Sequence, residues 1–457
     1  MGMKPLTLET IARVTGGKYV GDGVLEKTCV TGVVKDSREA YEGCLFVCIK
    51  GARADGHDFA GMAFDAGAAC CLAQRPLDAP RGPYVLVEST LQALKTLGKY
   101  YRSLFDIPVI GITGSVGKTT AKEMTAAVLS QKYNVLRTPE NLNNEIGVPL
   151  TLLSLKEEHE AAVIEMGISE FGEMSRLAGM VRPDICVLTA VGYCHLETLG
   201  DLNGVLKAKS EVFGFMKPPG LAVVNGDDEL LAAFDPGVRK ITFGLGESND
   251  YRAENVRTHG KNGVSCDIVT GSSRVGVFIP AFGSHMALGA LPAAAIGREL
   301  GLTDEEIRLG LLNFSTVGSR ANIYDTGYIT LIDDCYNANP NSVTAAILSF
   351  CTLPGRKVAI LGDMLDLGRH SDELHRGIGI LAGKSGVDCL ICCGAQAESI
   401  YKGLISTGLE IEAWHFPLKD AFLSVLPSLV RKGDNVLVKA SHGMHFEEIS
   451  EELKKLR

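Results

Sequence analysis

Positive charge, long apolar runs and metal-binding cysteine patterns are all scarce in this sequence. The 457 residues carry 45 Lys+Arg against 54 Asp+Glu, a formal net charge of −9. That balance excludes a basic nucleic-acid footprint for the chain as a whole and leaves small anionic ligands open. The longest uncharged stretch, Val275–Gly297, is broken by Pro280, Gly283, Ser284, His285 and Pro292. It reads as strand, loop and buried helix, so membrane insertion is not expected. The opening MGMKPLTLET has no apolar signal region, and Leu6 violates the myristoylation pattern. One CxxC occurs, Cys389-Leu390-Ile391-Cys392, with no second pair to complete a zinc site. It lies in an apolar strand candidate, where alternation sends the two sulfurs to opposite faces. The thirteen cysteines therefore read as core thiols, and a reducing, cytoplasmic location is expected.

What is present is an ordinary globular balance, 46% hydrophobic and 22% charged, which excludes a largely disordered chain. One core stops growing well before this length, so about three domains are expected. Fifty-two glycines and 17 prolines indicate many tight loops. The predicted fold class is α/β with three domains. Residues 1–86 form a small α/β unit, with apolar strands at Cys44–Ile49, Ala68–Ala73 and Tyr84–Val87 and a helical pattern near His57–Gly67. Residues 87–316 form a central parallel-sheet unit entered through a helix at Thr90–Leu104, with strands at Val109–Thr113, Ala161–Glu165, Ile185–Val191 and Leu221–Asn225. After Gly244, alternation in Val264–Val269 and Arg274–Ile279 predicts a small antiparallel appendage, followed by a helix at Met286–Leu300. Residues 317–457 form a Rossmann-like unit with strands at Ile329–Asp333, Lys357–Asp363, Cys389–Gly394, Ile411–Phe416 and Asn435–Ala440. It lacks GxGxxG after its first strand, so a dinucleotide cofactor is not indicated.

The strongest chemical signal is Thr113-Gly114-Ser115-Val116-Gly117-Lys118-Thr119-Thr120, in which an apolar strand feeds a glycine loop and GKTT opens a helix. Backbone N–H groups of such a loop cradle a triphosphate, helped by the free donors of the helix N-terminus. Lys118 is placed to contact the β/γ-phosphates and the Thr119 hydroxyl to ligate magnesium. The strict GxxxxGK[ST] pattern requires glycine where Ile112 stands, and no NKxD base-reading motif is present. Both departures argue against a Ras-like GTPase. Glu165 ends an apolar strand, where a carboxylate can reach a metal beside the loop, although a helix cap or ion pair explains it equally well. His195, read alone, is an ordinary loop histidine, and Lys209 an ordinary helix lysine.

With these residues, the loop resembles that of the Mur ligase family, the ATP-dependent amide-forming enzymes of peptidoglycan synthesis. The resemblance extends through Asp36-Ser37-Arg38, Gly43-Cys44-Leu45-Phe46-Val47, Gly51-Ala52-Arg53-Ala54-Asp55-Gly56-His57-Asp58-Phe59, Asn141-Leu142-Asn143-Asn144-Glu145, Glu165-Met166-Gly167 and His195-Leu196-Glu197. It continues through Asp333-Asp334-Cys335-Tyr336-Asn337-Ala338-Asn339-Pro340 and Gly362-Asp363-Met364-Leu365-Asp366-Leu367-Gly368. The last two segments favour the branch that joins D-alanyl-D-alanine to UDP-N-acetylmuramoyl-tripeptide. The branch adding the third stem residue would carry a DNPR-like motif, and folylpolyglutamate synthase normally lacks the N-terminal segment. The third stem residue, lysine or diaminopimelate, stays open.

The resemblance implies ATP and magnesium as cofactors and a three-domain ligase of cell wall biogenesis, cell shape and division. A monomer without nucleic-acid partners is expected. Lys118, Glu165, His195 and Lys209 are implied as catalytic residues, with Thr119, Glu165, His195 and a carbamylated Lys209 as metal ligands. Thr113 to Thr120, His285, Arg320 and Asn337 are implied at ATP. Ser37 and Arg38 are expected near the uridine diphosphate, and Asn143, Asn144, Asp334, Tyr336 and His442 at substrate. Two positions depart from the family pattern. Gly289 stands where an asparagine follows the adenine-side histidine by four residues. Lys439-Ala440-Ser441-His442 replaces a terminal arginine with a titratable histidine.

Overall fold

The computed structural model describes residues 3–21, 27–51, 53–78 and 80–456; Ala52 of the GARADGHDF motif lies outside them. Three large sheets follow one another along the chain, with helices packed against them. Among the described residues no helix is long and apolar enough to cross a membrane.

The first sheet has five strands in the spatial order Lys18–Val20, Tyr84–Leu86, Cys70–Ala73, Cys44–Val47 and Gly32–Val34, all parallel except the first pair. Its central strands read as continuous apolar runs because both of their faces are covered. Cys44 and Cys71 enter one core and Cys70 the other. Burial pushes the Cys70 thiol up to about 12, as expected of inert core cysteines. The helix Thr90–Arg102 is started by Ser89, whose hydroxyl accepts from Gln92 N. Its buried stripe of Ala93, Leu94, Leu97 and Tyr101 joins Leu8 and Ile11 on one side to Val148, Leu152 and Ile164 on the other. The first two units therefore share a continuous hydrophobic core.

The central sheet has nine strands. Val109–Thr113 lies between Ile185–Leu188 and Ala161–Glu165, with Val135–Arg137 beyond the latter. On the other side come Leu221–Asn225 and Arg239–Gly244, then Tyr251–Thr258, Val264–Thr270 and Ser273–Ile279. The last two strands pair antiparallel, as the alternation predicts. They extend the main sheet through Tyr251–Thr258, a strand whose polar sequence hides it. The helix Lys118–Leu129 lies along Met286–Glu299, and both bury small residues in the contact. A Cβ on Gly289 would meet Thr120 Cγ2 at 3.0 Å and Met124 Sδ at 3.1 Å. Close helix packing therefore accounts for glycine where the family pattern has asparagine.

The third sheet runs Asn322–Asp325, Thr330–Asp333, Asn435–Lys439, Lys357–Gly362, Cys389–Cys393 and Glu412–Phe416, parallel except for its first, unanticipated edge strand. Cys389 and Cys392 face different cores, as alternation requires.

Candidate active site

The phosphate loop leaves the C-terminal end of a central strand, where a parallel sheet opens its ligand crevice. Gly114 (φ 145) and Gly117 (φ 79) take conformations that other residues avoid. A Cβ on Gly114 would also lie 1.9 Å from Thr189 Oγ1. Thr189 in turn donates to Val116 O at 2.5 Å, and Ser115 N donates to Ala190 O at 2.9 Å, so the neighbouring strand end shapes the loop. Lys118 Nζ donates to Gly114 O at 2.7 Å. Burial holds its pKa below the ordinary lysine value, although Glu165 opposes this.

Glu165, 1% exposed, ends its strand beside the loop. Its Oε2 accepts from Thr119 Oγ1 at 2.9 Å and its Oε1 from Asn143 Nδ2 at 2.8 Å. Gly167 makes room for this, because a Cβ there would strike the Asn143 side chain at 2.9 Å. Asn144 instead shapes the turn leading into the helix Gly147–Leu153, its Oδ1 accepting from Ile146 N and Gly147 N.

His195 occupies a left-handed position (φ 50) at the start of the helix Leu196–Leu199. Its Nδ1 lies 3.4 Å from Asp366 Oδ2, which comes from the third unit. Burial is the main cause of its lowered pKa, reinforced by Lys209 and Lys118 and opposed by Asp366. Lys209 is buried in the helix Leu202–Ser210, and desolvation brings its pKa down to about 8. A neutral amine fraction near pH 7 well above that of an ordinary lysine favours the addition of carbon dioxide to that nitrogen.

The third unit supplies the opposite wall. Asn339 Nδ2 donates to Ser115 O at 3.4 Å, and Tyr193 N donates to Asn341 Oδ1 at 3.2 Å. Arg320 stacks over Tyr336 at 3.8 Å, and the Tyr336 ring lies 5.6 Å from that of His442. Lys439 is buried against Asp334 Oδ2 at 2.6 Å and Asn337 O at 3.0 Å. His285 precedes the helix Met286–Glu299, with Nδ1 3.3 Å from Ser349 Oγ, and burial lowers its pKa.

These side chains surround a cavity of about 560 Å³ lined by Ser115–Thr120, Asn143, Asn144, Glu165, His195, His285, Arg320, Asp334, Tyr336 and Asn337. A second cavity of about 240 Å³ shares Ser115, Lys118 and His195 with it and adds Lys209 and His442. Thr113 and Gly114 lie outside both cavity walls. Ser37 and Arg38 are not brought to either. They form a short turn in the first unit, where Arg38 is exposed and pairs with Asp36 at 2.5 Å. Asp366, Asn339 and Asn341 were missed as site residues, although the first two lie within recognised motifs. Only their approach across the unit boundary reveals the contacts.

Among the described residues no three His, Cys, Asp or Glu side chains cluster as a metal cage. The Thr119 hydroxyl and Glu165 carboxylate nevertheless form a pair of hard oxygen donors beside the phosphate loop. Such a pair fits magnesium, which usually takes one or two carboxylates and completes its shell with water and phosphate oxygens.

A phosphate loop on a parallel sheet, a hydroxyl and carboxylate pair beside it and a third unit across the cavity define a nucleotide-dependent enzyme. The chain belongs to the Mur ligase family of ATP-dependent ligases. Family models match in order: "Mur ligase family, catalytic domain" over residues 30–102, "Mur ligase middle domain" over 112–297 and "Mur ligase, glutamate ligase domain" over 319–442. A UDP-N-acetylmuramoyl-tripeptide–D-alanyl-D-alanine ligase of Bacillus subtilis is 35% identical over 452 residues, covering 98% of each chain. A crystal structure of MurF from Acinetobacter baumannii superposes with a TM-score of 0.91 at 30% identity, covering 100% of both chains. MurF ligase from Thermotoga maritima, solved in complex with ADP, gives 0.82 at 30% identity over 93% of this chain and 97% of that one.

Proposed function

We propose that this enzyme joins D-alanyl-D-alanine to UDP-N-acetylmuramoyl-tripeptide, converting ATP to ADP and phosphate and yielding the pentapeptide precursor of peptidoglycan. The observation that carries this reading is the pair of joined cavities. One wall holds the phosphate loop, Glu165, His195 and Lys209, and the other holds Asp334, Tyr336, Asn337 and His442.

A carboxylate is a poor electrophile and must first be activated. An oxygen of the tripeptide carboxylate attacks the γ-phosphorus of ATP, ADP departs, and an acyl phosphate forms. The dipeptide amine then attacks the acyl carbon through a tetrahedral intermediate that expels phosphate. Lys118, released from Gly114 O, neutralises charge on the transferring phosphoryl group, and the loop amides hold the phosphates. Thr119 and Glu165, with His195 and a carbamylated Lys209 on the second-cavity side, would hold magnesium, which would supply further charge neutralisation. Arg320 and Asn337, which line the larger cavity, are assigned to ATP, and the contacts of the third unit with the loop are assigned to shielding the acyl phosphate from water. Asp334, Tyr336 and His442 are assigned to the dipeptide. Ser37 and Arg38 are assigned to the uridine diphosphate, bound by the first unit at a distance from the reacting atoms.

The domain limits 1–86, 87–316 and 317–457 and their roles in sugar-nucleotide, ATP and dipeptide binding belong to the same proposal. So do a cytoplasmic location and a monomeric state. Phosphate release, measured with ATP and each substrate alone and then together, tests the reading. Release that requires both substrates is expected; release with a single amino acid or a folate would overturn it.

A further inference from the structure

Lys122 is a lysine whose side chain has no access to solvent, one helical turn beyond Lys118. Its Nζ donates to Thr138 O at 2.7 Å and Glu140 O at 2.9 Å. The same nitrogen lies 2.9 Å from Glu123 Oε1 and 3.8 Å from Glu165 Oε2. A buried ammonium is tolerated only where oxygens replace its water, and this one has four.

Those partners are not scattered. Thr138 accepts Glu165 N on its Oγ1 at 2.9 Å while its carbonyl takes Lys122. Glu140 has a left-handed backbone (φ 44), a costly conformation for a residue with a Cβ, and its carbonyl is one of those held by Lys122. Three residues later the same segment delivers Asn143 Nδ2 to Glu165 Oε1, and Gly167 N donates back to Asn143 O at 2.9 Å. The helix that opens at the phosphate loop is thus tied through one nitrogen to the segment that orients the Glu165 carboxylate. A structural lysine could satisfy two carbonyls anywhere in the core. This one sits where the loop helix, residues 138–143 and Glu165 meet.

We infer that Lys122 is a positioning residue for the magnesium-nucleotide site: by pinning residues 138–140 to the phosphate-loop helix, it holds Asn143 and Glu165 in place to receive the metal. The inference rests on the reading of Thr119 and Glu165 as the metal-binding pair.

Its test uses the full chain and equilibrium binding of ADP by calorimetry, in excess magnesium chloride and in EDTA. In the wild type, magnesium is expected to tighten ADP binding. In Lys122→Met that gain should shrink by about tenfold or more, the usual effect of removing a residue that orients a metal ligand, while ADP affinity in EDTA stays unchanged. Lys122→Gln can still donate to the two carbonyls, so it should fold and retain an intermediate gain. If Lys122→Met does not fold, a reduced gain in Lys122→Gln with unchanged metal-free binding supports the assignment. A full magnesium gain in either variant overturns it, and so does a parallel loss of metal-free binding, which would make Lys122 a residue of the fold alone. A wild type whose ADP affinity ignores magnesium would overturn the metal reading itself, and this inference with it.

Discussion

Replacing Glu165 with glutamine separates the chemistry of this site from its packing. The two side chains have the same shape, but the carboxylate accepts on both oxygens, from Thr119 Oγ1 at 2.9 Å and Asn143 Nδ2 at 2.8 Å. A glutamine oxygen can still take the Asn143 donor, and its NH₂ can donate to Thr119 Oγ1 if that hydroxyl turns its proton away. One hydrogen bond is reversed rather than lost. Lys122 gives up its more distant carboxylate at 3.8 Å and keeps Glu123 at 2.9 Å. The expected stability loss is therefore modest, about 1–3 kcal/mol. Catalysis should suffer more, because an anionic ligand to magnesium is replaced by a neutral amide. A loss of about 3 kcal/mol or more in transition-state stabilisation lowers kcat/KM by about a hundredfold or more. Initial rates of phosphate release from limiting to saturating substrate, measured across a magnesium series, read this directly, and thermal unfolding of the same preparation reports the fold. A folded Glu165→Gln enzyme turning over within about tenfold of wild type would refute the metal role given to Glu165.

Three further outcomes follow from burial and charge. Uncarbamylated Lys209 has its pKa brought down to about 8, so in the absence of bicarbonate the folded chain pays to keep the amine protonated at neutral pH. Lys209→Met should abolish ligation yet unfold at higher temperature than wild type at pH 7, with the difference shrinking as pH rises above about 8; a less stable variant at pH 7 would count against this. His375 is buried, with Nδ1 2.7 Å from Ser371 O and Nε2 accepting Met364 N at 2.9 Å, an arrangement that requires the neutral ring. Burial depresses its pKa, so its stabilisation is present above the ordinary histidine value of about 6.5 and is lost as pH falls through the folded value. Unfolding temperature should fall between pH 7 and pH 5, less steeply in His375→Gln, and equal slopes would refute the assignment. Gly289→Asn gains only about 0.3 kcal/mol of helix propensity but crowds Thr120 and Met124, at a cost of about 1–3 kcal/mol. A net loss of stability without tighter ADP binding is expected, and a stabilised variant would contradict the packing account.

The phosphate loop was legible because its signal is local: an apolar strand, two glycines at obligatory positions and GKTT lie within twelve residues. Cys389 and Cys392 were equally readable, since strand alternation alone assigns them to opposite cores. The parallel strands Val109–Thr113, Ala161–Glu165, Ile185–Leu188 and Leu221–Asn225 announced themselves as apolar runs, whereas Gly32–Val34, Val135–Arg137 and Arg239–Gly244, also parallel, did not. Nor did Tyr251–Thr258 and Asn322–Asp325, because polar residues dominate one and an edge position exposes the other. Glu165 and His195 were ambiguous from their own neighbourhoods, and resemblance to a family was what singled them out. Contacts that depend on distant segments meeting left no such trace. Asp366 reaches His195 across 171 positions of sequence and Asn339 reaches Ser115 across 224, while Lys122 resembles any helix lysine until its four oxygens are seen.

The central claim is that ligation proceeds through phosphorylation of the tripeptide carboxylate, and oxygen isotopes test it most directly. The terminal carboxylate of UDP-N-acetylmuramoyl-tripeptide is labelled with heavy oxygen, and the enzyme is supplied with ATP, magnesium and D-alanyl-D-alanine. If an acyl phosphate forms, the carboxylate oxygen that attacked phosphorus leaves with it, and each phosphate released carries one labelled oxygen. Phosphate released without label while the pentapeptide forms would contradict the account.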